Sequence, residues 1–162
     1  MSAQTNYTYF PQHGAPGGIV DVSPLAINSR SVENDTGVVF PGMGVVTGTT
    51  AGVQVKLPAS GATAATFEGV VVNGRTTERD LAGDLYVRHN AAVGVARWGR
   101  IYVRVPSGVT TAYGDALYLI PTGNDAGCFT NSSTNNVAIK GKFIGTVDGN
   151  AAPVELFNTP QA

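Results

Sequence analysis

The chain has 162 residues, Gly is 21 of them, and charged residues are 13% with a net charge of −1. That length suits one domain with a real core. The weak net charge lacks the basic field that a nucleic-acid or acidic-membrane partner needs, so neither is expected. There are 21 Val against 7 Leu, 3 Lys and 4 Glu; Val suits a pleated surface, and the others are straight-chain helix formers, so the balance favours β.

Residues 1–18 carry no charged side chain, and Pro11, Gly14, Pro16, Gly17 and Gly18 oppose regular structure. Tyr7, Tyr9 and Phe10 are too apolar for an ordinary solvated tail. Two readings stand open: aromatics tucked onto the chain's own body, or an arm whose aromatics anchor on a neighbouring subunit. Residues 19–40 read as extended chain with breaks, with a turn at Asn34-Asp-Thr-Gly37. Pro41-Gly-Met-Gly44 is a second turn. Val53, Val55 and Leu57 alternate with Gln54 and Lys56, which predicts a half-buried strand.

Gly61 to Ala65 reads as a small-residue loop, and Phe67 to Val72 as a buried strand ending in a hairpin signal at Asn73-Gly74. Thr76 to Leu81 is the one place where a helical turn is considered. Leu85 and Val87 precede the best-patterned region, Arg97 to Pro121. There Ile101, Val103 and Val105 alternate with Arg100, Tyr102 and Arg104, and Leu117 and Leu119 follow a Gly114-Asp115 turn. Ile101, Val103, Val105, Leu117 and Leu119 are assigned to the core. Further strands at Phe143–Val147 and Val154–Phe157 flank an Asp148-Gly149 turn. Strands separated by turns about every 8–12 residues predict an all-β fold, a small antiparallel barrel or sandwich, with an extended N-terminal arm. The expected division is an arm and lead-in at 1–40 and a single β-domain at 41–162.

Chemistry is sparse. Gly42-Met-Gly-Val-Val-Thr-Gly48 lacks the strand before and helix after that a dinucleotide loop needs. His13 and His89 have no Cys or carboxylate at metal-ligand spacing, so no metal is expected. Cys128 is alone, which excludes an intramolecular disulfide, and it has no catalytic pattern around it. Asp84, Asp115 and Asp148 sit in Gly turns, where carboxylates usually bond nearby amides. No catalytic residue and no cofactor is expected. No basic segment leads an apolar run, so neither an export signal nor a membrane span is expected. One constellation remains: Arg88, Arg97, Arg100 and Arg104 with Tyr86, Trp98 and Tyr102. It reads as the outer face of a barrel, as a protein interface, or as a base-stacking strip.

The order of several motifs resembles the structural cement proteins of tailed bacteriophages, which decorate capsids. The N-terminal half carries Gly14-Ala-Pro-Gly-Gly-Ile-Val-Asp21, Ile27-Asn-Ser-Arg30 and Phe40-Pro-Gly-Met-Gly-Val45. Trp98-Gly-Arg-Ile-Tyr-Val-Arg-Val105, Gly114-Asp-Ala-Leu-Tyr-Leu119, Gly127-Cys-Phe129 and Gly141-Lys-Phe-Ile-Gly145 look like that family's β-rich second half. The resemblance implies a non-enzymatic protein, made in the host cytoplasm and located on the outer surface of the virion. Its partners would be the major capsid protein and itself, as a dimer or trimer bridging neighbouring capsomers. Tyr7, Tyr9, Phe10, Arg100, Tyr102 and Arg104 are the expected capsid or subunit contacts. The alternative is a β-rich carbohydrate-binding or adhesin module, disfavoured by the single Trp.

Overall fold

The computed structural model describes residues 14–33, 37–74, 77–79, 81, 83 and 85–157. These residues are all-β apart from one 3-10 turn at Ala64–Thr66. The strands are β1 (Ala26–Val32), β2 (Gly44–Thr47), β3 (Gln54–Lys56), β4 (Phe67–Val71), β5 (Thr77–Arg79) and β6 (Leu85–Val87). They continue as β7 (Ala92–Arg104), β8 (Ala116–Leu119), β9 (Phe129–Thr130), β10 (Val137–Phe143) and β11 (Ala151–Leu156).

Strands β1, β3, β2, β4 and β7 pair in that order, and β7 pairs back onto β1, which closes a five-stranded barrel. Closure removes the exposed edges that a small open sheet would present. One pairing departs from the expected antiparallel pattern: β1 and β3 run parallel, with Val32 opposite Val55. The C-terminal half of β7 continues into a second sheet, β7-β11-β10-β8-β9. β5 and β6 form a separate two-stranded sheet, tied to the barrel where the Val87 amide donates to the Val39 carbonyl at 2.8 Å.

The barrel interior is valine. Val32, Val39, Val45, Val55, Val71, Val87, Val93 and Val95 form one buried cluster. A compact, β-branched side chain fills a narrow barrel without leaving its preferred rotamer, which is where much of the valine surplus goes. Neighbouring residues point the other way, as the period of a strand requires. Val46 and Val70 join a second core with Phe67, Ile101, Val103, Leu117, Leu119, Phe129, Phe143 and Leu156. Strands β2 and β4 are therefore a wall between two cores. This explains why Phe67 to Val72 reads as a continuous apolar run. The five residues assigned to the core from alternation alone are each at most 2% exposed.

Strand β7 serves both cores by slipping phase. Val93 and Val95 face the barrel, whereas Ile101 and Val103, also odd-numbered, face the second core. Ala26 lies opposite Trp98 and Ile27 opposite Ala96, so Arg97 is the extra residue of a bulge. One extra residue exchanges the two faces of everything that follows. Gly99, at φ +111°, completes the bend; a Cβ there would lie 2.8 Å from Leu25 Cδ1 and 2.9 Å from the Pro24 carbonyl oxygen.

Two local expectations are corrected. Asn73-Gly74 does not close a hairpin, because β4 pairs with β2 and β7 while β5 pairs with β6. The Asn73 amide instead donates to the Gly17 carbonyl at 2.9 Å. Residues 77–79, within the stretch considered for a helical turn, are a strand held by cross-strand contacts from Glu78 to Tyr86 and Arg88. The single 3-10 turn falls instead inside the Gly61 to Ala65 loop and just beyond it, where Thr63 and Thr66 bond each other. The Asp148-Gly149 turn is present, with Asp148 bridged to Ala151. The turn at Asn34-Asp-Thr-Gly37 lies, but for Gly37, outside the described residues.

Candidate functional site

Past its bulge, β7 has an edge that β1 and β4 no longer cover, and the first described residues occupy it. Gly17 N donates to the Tyr102 carbonyl at 2.7 Å, Tyr102 N to Gly18 at 2.8 Å, and Val20 N to Arg100 at 3.1 Å. Ile19 lies opposite Ile101. The N-terminal segment is thus clipped to the long strand by its main chain.

The clip requires glycine where backbones nearly touch. Gly17 has φ +78°, and a Cβ there would sit 2.6 Å from Asn73 N and 2.8 Å from the Val71 carbonyl oxygen. Gly42 has φ +82°, and its Cβ would sit 2.7 Å from Pro16 Cβ and 3.0 Å from Arg104 N. Gly42 also donates to Val71 and accepts from Arg104, both at 2.8 Å. Gly14 lies flat on the Tyr102 ring, with no room for a side chain. The Gly14–Asp21 and Pro41–Gly44 motifs, far apart in sequence, are therefore two halves of one joint.

Arg100, Tyr102 and Arg104 lie on the outward face of β7 beside this joint. Arg100 Nη1 donates to Asp21 Oδ2 at 2.8 Å, and its Nε is 3.5 Å from Glu155, which Lys142 approaches at 3.8 Å. Asp21 also accepts from the amide and hydroxyl of Ser23. Those Ser23 bonds, and then Arg100, hold the Asp21 carboxyl down at about 2. Arg100 is correspondingly pushed up by Asp21 and then Glu155. Tyr102 is covered by Gly14 and Gly18. The Arg104 guanidinium stacks 4.6 Å from the centre of the Phe40 ring.

The wider basic–aromatic constellation divides. Arg88 and Tyr86 belong to the β5–β6 hairpin and engage Glu78. Arg97 and Trp98 stand exposed at the bulge. Tyr7, Tyr9 and Phe10 lie outside the described residues. Cys128 is buried, and burial, with Asp125 nearby, pushes its thiol up to about 11, so it stays protonated at neutral pH. Asp115 accepts from the Ala112 amide and from Asn131, both at 2.9 Å, as a turn carboxylate should. No cluster of three or more metal-ligating side chains occurs among the described residues.

Sequence reasoning missed Asp21, Phe40 and Glu155 as partners of the arginines. Asp21 and Arg100 are 79 residues apart, and nothing in the linear pattern ties them.

The family model described as Structural cement protein (E217 gp24/Pam3 gp6) matches residues 3–157. The chain belongs to this phage structural cement protein family. The matched span takes in the clip, the valine barrel and the second sheet of this cement-family chain. Among solved structures, a chain from "The capsid of Myoviridae Phage XM1" superposes with a TM-score of 0.75 at 17% identity, over 98% of this chain and 99% of that one. At that identity the likeness is one of fold. No curated protein matches the chain.

Proposed function

We propose that this cement-family chain decorates the outside of a phage head without catalysing a reaction. In this reading it is made in the host cytoplasm and binds the major capsid protein as a homo-oligomer, a dimer or trimer. It bridges neighbouring capsomers and stabilises the expanded lattice. The family match over residues 3–157 carries the reading.

The geometry supplies a physical route. A body with two packed cores holds the root of the N-terminal segment by backbone bonds. Residues 1–40 then act as arm and lead-in, the later part stitched into the barrel as β1, and residues 41–162 as the body. Phe10 lies four residues before Gly14, a reach of up to about 14 Å if extended. Tyr7, Tyr9 and Phe10 are the proposed outer contacts, with Arg100, Tyr102 and Arg104 at the root. A clip that binds only the expanded lattice stabilises it by mass action, about 4 kcal/mol at a thousandfold excess over its Kd. Engaging several subunits at once adds effective concentration.

The test compares heads with and without the protein under heating and low salt. Earlier rupture of the undecorated heads is the expected result; equal survival would remove the stabilising role.

A further inference from the structure

Beside the clip lies an open recess of about 210 Å³, lined among others by Pro16, Pro41, Asn73, Asn150 and two arginines, Arg79 and Arg104. The arginines are the informative part. Among those described, Arg30 pairs with Glu68, Arg88 with Glu78, and Arg100 with Asp21 and Glu155. Arg79, Arg97 and Arg104 have no carboxylate partner among the described residues, and two of these three line this one recess. Arg79 spends one donor on the Gly83 carbonyl. Arg104 is held against Phe40, which fixes the plane of its guanidinium, and its Nε has no hydrogen-bond partner. Among the described residues, no carboxylate lines the recess.

We propose that this recess, on the decoration reading above, receives an acidic side chain of the capsid lattice subunit. Guanidinium groups recognise carboxylates through paired N–H donors, and Asn73 and Asn150 offer further amide donors at the same wall. Charge complementarity fixes the ligand class. Among the described carboxylates, Asp21, Glu33, Glu68, Glu78, Asp115 and Glu155 are each already held by a cation or amide of their own protomer, and an acid from a second copy is the alternative that the test below separates. The joint between Gly17 and Gly42 sets the recess wall through Pro16 and Pro41, so the clipped segment from Ala15 onward and the recess adjoin.

The experiment measures affinity for expanded heads that lack the protein, using the wild type, Arg79→Glu, Arg104→Gln and, as a control cation outside the recess, Arg97→Glu. Arg79 is exposed, so its variant should melt with the wild type. We expect Arg79→Glu and Arg104→Gln to weaken binding at least about tenfold, and Arg97→Glu to change it little. Arg104→Lys should recover only part of the loss, since an ammonium lacks the planar fork. A folded Arg79→Glu that binds heads like the wild type would overturn the proposal. So would an Arg79→Glu variant that splits an oligomer of the free protein, since the acid would then come from a second copy. A wild type that does not bind heads at all would instead remove the decoration reading.

Discussion

Gly17 and Gly42 show what a glycine-led motif encodes here: two chain segments closer than any Cβ allows. Gly17→Ala should lower stability by about 2 kcal/mol or more, a fall in Tm of roughly 4–8 °C. Gly52→Ala also has a positive φ but meets nothing within 4 Å, so its loss should be smaller, about 1 kcal/mol. Thermal melting of the two variants checks the difference. Asp21 gives a pH prediction. Its folded pKa, about 2, lies below the ordinary 3.8, so its contribution is complete above the ordinary value and is lost as pH falls through about 2. The Tm should therefore fall with acid in that window, and less steeply in Asp21→Asn. Equal slopes would show that the Ser23 and Arg100 bonds do not couple to folding. The glycines were legible in the sequence as motifs, but their pairing was not, because close approach between distant segments leaves no local periodicity.

At the scale of the element, β7 is one strand in two environments. The alternation of Ile101, Val103 and Val105 with Arg100, Tyr102 and Arg104 was legible because each half of the strand keeps its period of two. The change of core at Arg97 was not, because a bulge is one added residue and looks like ordinary sequence. The same limit applies to Asn73-Gly74, where a turn signal strong in isolation lost to pairing of β4 with strands on both its sides. Two substitutions test the two-core wall. Val70 faces the second core and Val71 the barrel, each 0% exposed. Val70→Ala and Val71→Ala should each cost about 2 kcal/mol, whereas Val53→Ala, at 55% exposure, should stay within about 0.5 kcal/mol. Denaturant titrations would reveal a one-sided strand if only one of the adjacent pair mattered. Gly99→Val should be as damaging as either, since the bend leaves no space for a side chain.

At the scale of the molecule, composition alone indicated a β fold, and the surplus of valine is now a barrel interior. The family was legible from the order of short motifs, which correspond to joints: Gly14–Asp21 on β7, and Pro41–Gly44 under Pro16. The recess was not legible, since Arg79 and Arg104 come from different strands and meet only in three dimensions. Together these features describe a body that clips residues 17–20 to its long strand and sets beside them two arginines with no carboxylate partner among the described residues. The central claim is that this surface recognises the assembled, expanded lattice. Sedimentation of the purified protein with expanded heads and, separately, with free capsid subunits tests it most directly. The account predicts saturable co-sedimentation with expanded heads and none with free subunits; binding to both equally, or to neither, would contradict it.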